Sequence, residues 1–102
     1  MKKRIFKTYK EILEELRLHN NILKKHHLKR IGLFGSYART EQNKNSDIDF
    51  LAEFEKPSFD DFIDLVFFLE NLFKRKVDLI TKDSLSPYVK PYVKKEVKWH
   101  EV

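Results

Sequence analysis

The 102-residue sequence contains no cysteine, only two glycines and three prolines, and no long apolar run. The absence of cysteine excludes disulfides and thiolate metal sites. The longest apolar stretch, Leu65 to Leu69, is far too short to span a membrane. The basic start, Met1–Phe6, has no apolar segment behind it, so we expect no signal peptide and a cytoplasmic location. The length and the lack of a Pro/Gly/Ser-rich linker predict a single domain over residues 1–102.

Positive charge is in excess in this chain. Lysine and arginine number 21 against 16 aspartates and glutamates, which gives a formal net charge of +5. Basic surfaces attract phosphate groups, so the charge indicates either a nucleic acid or a small polyphosphate ligand. An RNA-binding function rests on net charge alone, because the interleaved aromatic and basic residues of single-strand binders are missing. We therefore expect a basic surface around a site that handles polyphosphate.

Hydrophobic periodicity and turn residues divide the chain into alternating helices and strands, in the order α-β-α-β-α-β-α. The predicted elements are a helix over residues 7–27, a strand Arg30–Phe34, a short helix Ser36–Arg39 with Ser36 as its N-cap, a strand Asp47–Phe54, a helix Phe59–Phe73 capped by Ser58, a strand Val77–Thr81 and a last helix from Ser86 to Val97. This order predicts an α/β fold of two layers (α+β), with a small mixed sheet and helices packed on it.

Two aspartates, Asp47 and Asp49, stand two residues apart in the second predicted strand. The side chains of a strand alternate between its faces, so both carboxylates lie on one face, several ångströms apart. Two like charges at that distance resist ionising together unless a cation lies between them. Mg²⁺ takes oxygen ligands of this kind and completes its shell with water and substrate phosphates. Aspartate pairs on solvent-facing strands are common, so the pair by itself leaves a solvated surface open.

The dipeptide Gly35-Ser36 follows the first predicted strand and opens a short helix. Glycine permits a tight turn and a close approach of the backbone to a ligand. The N–H groups at a helix start carry the positive end of the helix dipole and bind phosphate. Ordinary turn chemistry is the alternative for this dipeptide taken alone. Together with Asp47-Ile48-Asp49, it predicts one element for a triphosphate and another for the metal that bridges it.

The segments GSYAR, Gly35–Arg39, and SDIDFL, Ser46–Leu51, carry a family resemblance. They resemble the signature of the DNA polymerase β-like nucleotidyltransferase superfamily, and within it the minimal nucleotidyltransferases of prokaryotes. A third acidic residue, expected on a later strand, matches Asp78. The resemblance covers roughly residues 28–82 and implies the polymerase β-like nucleotidyltransferase fold for a single minimal domain.

The resemblance implies transfer of AMP from ATP to a hydroxyl acceptor, with release of pyrophosphate. Asp47, Asp49 and Asp78 would be the catalytic carboxylates and would hold two Mg²⁺ ions. Asp78 would bind the metal nearer the acceptor and could help to remove the hydroxyl proton. Asp83 is the next candidate for this third acid.

The same resemblance assigns the nucleotide-binding groups. Gly35 and Ser36 would grip the β- and γ-phosphates, and Ser46 would orient the strand that carries the aspartates. Arg39 would pair with phosphate, with an ion pair inside the loop as an equal alternative. The family pattern has glycine after this arginine, where the chain has Thr40. If that glycine serves a positive φ, a β-branched residue is strained there, and the loop is expected to have a different shape.

The predicted helix Phe59–Phe73 is apolar over more of its circumference than one buried face requires. Either it is central in the fold or part of it is exposed for another chain, and we expect the second. Phe68 is then either an interface anchor or a core residue. The resemblance also implies a partner, since such domains often occur with an all-helical HEPN protein, a ribonuclease toxin. The nucleotidyltransferase would neutralise the toxin by binding, by AMP transfer to a tyrosine, or both.

The leading interpretation is thus a Mg²⁺-dependent protein adenylyltransferase that uses ATP and acts as the antitoxin of a toxin–antitoxin pair. A binding-only antitoxin with weak or no catalysis is one alternative. Nucleotidyl transfer to a small molecule is the other, although relatives of that kind carry an added domain for the acceptor.

Overall fold

A computed structural model describes residues 8–102 of the chain. The basic start Met1–Phe6, and Lys7 at the start of the predicted helix 7–27, lie outside the described residues. The helices are α1 (Tyr9–Leu18), α2 (Asn20–Lys25), α3 (Gly35–Ala38), α4 (Phe59–Phe73) and α5 (Lys90–Glu96). The strands are β1 (Leu28–Phe34), β2 (Ile48–Phe54), β3 (Val77–Thr81) and β4 (Lys98–Glu101), and a 3-10 turn, Lys82–Ser84, follows β3. None of these helices has the length and apolarity that a membrane crossing requires.

The four strands form one mixed sheet in the order β3-β2-β1-β4. β1 is antiparallel to both of its neighbours, β2 and β4, whereas β2 and β3 are parallel. Parallel neighbours need a crossover connection, and α4 provides it. The small mixed sheet with helices packed on it confirms the predicted α/β fold class.

The structure differs from the predicted elements near both ends. The helix predicted over residues 7–27 is two helices, because His19 leaves helical geometry and its Nδ1 lies 2.9 Å from the carbonyl oxygen of Glu15. The last helix begins at Lys90 rather than at Ser86, and it ends before Val97, which is extended. Strand β4 is missing from the predicted order. It is a four-residue edge strand with charged ends, and its structure depends on pairing with β1 rather than on local apolar alternation.

One face of the sheet carries the hydrophobic core, covered by α1, α2 and α4. Alternate residues of β2, Ile48, Phe50 and Ala52, point into this core and are almost fully buried. The helices contribute the buried side chains of Ile12, Leu16, Leu23, Leu65, Leu69 and Phe73. The intervening residues of β2 therefore face the other side of the sheet, as the alternation in the sequence predicts.

That second face is covered only in part, by α5 and the residue that follows it. Gly32 of β1 lies there, beside Leu51 of β2 and Trp99 of β4. A Cβ at Gly32 would overlap with Cγ2 of Val97, the residue that follows α5. Glycine at this position thus lets the end of α5 lie directly on the sheet. Asp49 is on the same face, two residues before Leu51.

Helix α4 places most of its apolar surface against the core, yet two aromatic rings stay outside. Phe68 is packed within the chain, with its ring centroid 5.9 Å from that of His19 and 6.0 Å from that of His26. Phe59 and Phe67 are 78% and 66% exposed. The helix is therefore central in the fold and also partly exposed. We call Phe59 and Phe67 the exposed α4 face.

Candidate active site

Asp49 and Asp78 are direct neighbours on the second face of the sheet, the open face that is only partly covered. Asp49 of β2 is in register with Asp78 of β3 in the parallel ladder. In-register residues of adjacent strands point to the same side, with their strands about 4.8 Å apart. Asp47 is the residue before β2, and by alternation it belongs to the same face. The fold therefore brings the predicted carboxylates to one place.

The Gly35 turn is in contact with Asp49. Gly35 joins β1 to α3 with a φ of 75°, a conformation that side chains other than hydrogen rarely allow. Its neighbour Phe34 is in register with Asp49 across the β1–β2 ladder. A Cβ at Gly35 would lie 2.9 Å from Cγ of Asp49 and would overlap with Oδ2. The turn and the carboxylate are thus one packed unit, and only glycine fits it without displacing Asp49.

Burial and neighbouring negative charges determine the electrostatics of Asp49. Burial, followed by the charges of Asp78 and Asp47, raises the pKa of Asp49 from 3.8 to about 6. Arg39 opposes this rise, and Glu96 adds to it. Each of the main causes penalises the ionised carboxylate, so a cation bound here would be strongly favoured.

The donor chemistry of this unit fits Mg²⁺ bound together with a nucleotide. Within residues 8–102, no group of three or more His, Asp or Glu side chains forms a ready cage for a metal ion. Mg²⁺ does not need one, because it is usually held by one or two carboxylates together with substrate phosphates and water. Asp47, Asp49 and Asp78 supply hard oxygen donors on one face of the sheet. These three residues are the ones that would hold the metal.

Glu96, the last residue of α5, is a site residue that the sequence did not predict. Its Oε2 accepts hydrogen bonds from Gly35 N–H at 3.1 Å and from Arg39 Nη1 at 2.8 Å. Arg39 Nε also donates to Glu41 at 3.3 Å, so Arg39 takes part in ion pairs, one of them inside its own loop. No local signal marks Glu96, which lies 57 residues from Arg39 and meets it only because α5 packs on α3.

Thr40 adopts the conformation that its side chain disfavours. Its φ is 59°, in the left-handed region. Thr40 N–H donates to the Tyr37 carbonyl at 3.3 Å, and Glu41 N–H donates to the Ser36 carbonyl at 2.8 Å, which closes the C-terminal end of α3. Glycine is the usual residue in such helix ends. A non-glycine residue costs about 1–2 kcal/mol in this conformation. The loop thus has the positive φ that the family glycine would serve.

The two predicted serines, Ser36 and Ser46, have different positions and hydrogen bonds in the structure. Ser36 is not the N-cap of α3: the helix begins at Gly35 and its N-cap is Phe34, so no side-chain hydroxyl caps this helix. Ser46 Oγ accepts a hydrogen bond from Asn43 N–H at 2.9 Å, which closes the loop ahead of β2. The nucleotide-binding roles of both serines stay predictions.

Comparison with known proteins identifies the family. The sequence matches the nucleotidyltransferase domain family over residues 8–100. The chain belongs to this family. A Methanocaldococcus jannaschii protein, provisionally named a protein adenylyltransferase, is 50% identical over 96 residues, which cover 89% of this chain and 96% of that protein. The protein adenylyltransferase MntA of Thermococcus cleftensis is 40% identical over 92 residues, which cover 88% of this chain and 93% of MntA.

Solved structures have the same fold as this nucleotidyltransferase. A provisionally named minimal nucleotidyltransferase aligns with a TM-score of 0.71 and 32% identity, over 84% of this chain and 93% of that one. A toxin–antitoxin complex with AMP-PNP aligns with a TM-score of 0.68 and 26% identity, over 85% of this chain and 70% of that one. The fold, the family and the enzyme class predicted from the motifs are therefore confirmed.

Proposed function

We propose that this nucleotidyltransferase transfers AMP from ATP to a hydroxyl group of a partner protein, in the cytoplasm, as the antitoxin of a toxin–antitoxin pair. The observation that carries the proposal is the contact between Asp49 and Gly35, with Asp78 in register beside Asp49. A phosphate-binding turn and a set of metal-binding carboxylates serve a single reaction only if one ligand can touch both. The partner that the resemblance implies is an all-helical HEPN protein, with a tyrosine as the acceptor.

The roles of the residues are those that the resemblance implies, and this geometry supports them. The acceptor oxygen attacks the α-phosphorus of ATP, the bond from that phosphorus to the bridging oxygen breaks, and pyrophosphate leaves. Asp78 accepts the proton of the acceptor hydroxyl, while Gly35 and Ser36 bind the β- and γ-phosphates through the start of α3. Asp47, Asp49 and Asp78 would hold Mg²⁺, which would compensate the charge on the transferring phosphoryl group.

The named relatives support the nucleotide, the type of acceptor and the partner. MntA, at 40% identity, is named a protein adenylyltransferase. A structural relative at 26% identity is a toxin–antitoxin complex with AMP-PNP, and another at 27% is the toxin–antitoxin complex MntA-HpeT, with a TM-score of 0.64. The exposed α4 face, Phe59 and Phe67, offers the apolar contact that a protein partner needs.

The proposal is tested with the protein encoded next to this gene, which we expect to be an HEPN protein. After incubation with ATP and Mg²⁺, the partner should gain mass in whole adenylyl groups, and peptide mapping should locate them on a tyrosine. Incubation with EDTA should give no gain. A partner that forms the complex but never gains mass would exclude the transferase proposal.

A binding-only antitoxin is the second candidate, and Thr40 is the observation that favours it. A left-handed threonine in the loop after α3 is a costly feature beside a phosphate-binding turn. In that case the partner would be inhibited in a stable complex, with no dependence on ATP. Inhibition of the partner without nucleotide would distinguish this candidate from the first.

A further inference from the structure

A cavity of about 240 Å³ lies on the open face of the sheet, below α5, and the predicted site residues do not line it. Its floor is formed by Leu51 of β2 and Trp99 of β4, which flank Gly32 of β1. Four cationic side chains surround this apolar floor: Arg30, Lys82, Lys90 and Lys94. We call this cavity the basic pocket.

Two of these cations share one carboxylate. Arg30 Nε donates to Glu53 Oε2 at 2.7 Å, and the Arg30 guanidinium lies 3.8 Å from the centroid of the Trp99 ring. Lys82 Nζ is 3.4 Å from Oε1 of the same Glu53. Arg30 is therefore held in place by a charge contact and by an aromatic face, which gives the pocket a fixed wall.

The other two cations have no acidic partner in the part of the chain that the structure describes. No ion pair there involves Lys90 or Lys94. They stand four residues apart on α5, so they lie one above the other on the same side of the helix. Like charges that converge on an apolar cleft create a positive potential and attract an anion. The pocket is thus chemically suited to a ligand with a negative and an apolar part.

The basic pocket is close to the carboxylate site. Leu51 follows Asp49 by two residues on the same face of β2, which places it about 6 to 7 Å further along the strand. α5 also joins the two places, because Glu96 binds the Gly35 turn while Lys90 and Lys94 line the pocket. The volume is below the roughly 300–1,000 Å³ of sites for drug-sized ligands, so it suits one part of a nucleotide.

From this charge, floor and position we infer that the basic pocket binds a nucleoside phosphate. Lys90 and Lys94 contact the phosphate, and the apolar part of the nucleoside lies over Leu51 beside the Arg30–Trp99 stack. The ligand has two sources: the incoming ATP, or an adenylyl group already attached to the acceptor. Which of these two ligands occupies the pocket depends on the proposed function. Binding of a nucleoside phosphate to the pocket does not, because it is measured without any transfer reaction.

The binding test uses AMP in the presence of EDTA. Without metal, Asp47, Asp49 and Asp78 repel an anion, so AMP that binds is expected at the basic pocket and not at the carboxylate site. Trp99 is the single tryptophan of the chain, so its fluorescence reports on the pocket directly. AMP should change the fluorescence saturably, adenosine far more weakly, and added salt should weaken binding. No change of Trp99 fluorescence with AMP would overturn the inference.

A matched pair of variants assigns the effect to the pocket. Lys94→Glu should weaken AMP binding about tenfold or more, the order expected for the loss of a charge-assisted hydrogen bond. Lys95→Glu makes the same charge change on the neighbouring exposed residue, which does not line the pocket, and should leave AMP affinity close to that of the wild type. Equal losses in the two variants would mean that only overall charge matters, which would overturn the inference.

Transfer assays with the same two variants identify the source. If ATP occupies the pocket, Lys94→Glu raises KM for ATP in the first transfer. If an acceptor-borne adenylyl group occupies it, the first transfer is normal and further additions to the same acceptor are lost. Kinetics equal to those of Lys95→Glu at both steps would overturn the inference even if AMP binds. A wild-type protein that never transfers AMP contradicts the proposed function but leaves the fluorescence result valid.

Discussion

Replacing Asp49 by asparagine should stabilise the metal-free protein, although it removes a predicted catalytic group. Burial and the charges of Asp78 and Asp47 raise the pKa of Asp49 to about 6, from an ordinary value of 3.8. A carboxyl group with a raised pKa in the folded state favours folding only while it is protonated. Its contribution is complete below about pH 4 and is lost as the pH rises through about 6.

The magnitude follows from the two pKa values, which differ by about 2. A difference of one corresponds to about 1.4 kcal/mol, so the upper limit of the destabilisation at neutral pH is about 3 kcal/mol. Asp49 is only half-buried, and solvent screening reduces this to about 1–2 kcal/mol. Each kcal/mol changes the Tm of a domain of this size by roughly 4–8 °C, so the variant should melt roughly 5–15 °C above the wild type.

The assay is thermal unfolding in the presence of EDTA, monitored by circular dichroism and repeated at several pH values from about 4 to about 7. The stability difference between Asp49→Asn and wild type should grow with pH over this range. Taking the difference between variant and wild type removes the pH-dependent contributions of other groups to stability. One such group is Glu53, whose pKa is lowered by its hydrogen bond with Arg30. Asp83→Asn, at an exposed carboxylate, is the control and should change little. A natively folded Asp49→Asn protein that melts at or below the wild-type temperature at neutral pH would refute this account of Asp49.

Four further substitutions test other parts of the structure. Thr40→Gly should raise the free energy of unfolding by about 0.5–1 kcal/mol in denaturant titrations. Glycine relieves the strain of a β-branched residue at positive φ, and its larger conformational entropy in the unfolded state offsets part of that gain. An unchanged or lower free energy of unfolding would contradict the strain at Thr40. Glu96→Ala should raise KM for ATP, since it removes the carboxylate that holds both the Gly35 N–H and Arg39 Nη1 in place. Normal steady-state kinetics would show that these contacts do not position the turn. Phe67→Asp should weaken partner binding in calorimetry while the domain stays folded, whereas Phe68→Asp should unfold it; normal binding by folded Phe67→Asp would remove the exposed α4 face from the interface.

The parts of the molecule that the sequence predicts well are those fixed by local rules. Alternation in β2 separates Asp49 from the core residue Phe50, and this separation holds in the structure because one face of the strand is buried. The cap Ser58 is confirmed, since its hydroxyl accepts a hydrogen bond from the Asp61 N–H at 3.3 Å. The Gly35 turn is likewise local, because only glycine fits the left-handed φ next to a carboxylate.

The parts that it does not predict depend on contacts between distant segments. Glu96 reaches Gly35 through the packing of α5, and no spacing rule relates them. Strand β4 exists through its pairing with β1, and the helical pattern that precedes it masks the transition at Val97. The basic pocket combines residues from β1, β2, β4 and α5. Such arrangements follow from tertiary packing, which overrides local patterns.

The most direct test of the catalytic site separates binding from chemistry at Asp78. Asp78 lies in register with Asp49 but is itself exposed, as expected for a carboxylate on the acceptor side. Single-turnover transfer and Mg²⁺-dependent ATP binding should both be measured for Asp78→Ala and the wild type. We predict near-normal ATP affinity with transfer reduced by orders of magnitude, because the lost group acts in the chemical step. Transfer close to the wild-type rate would contradict the assignment and exclude Asp78 as the third acid.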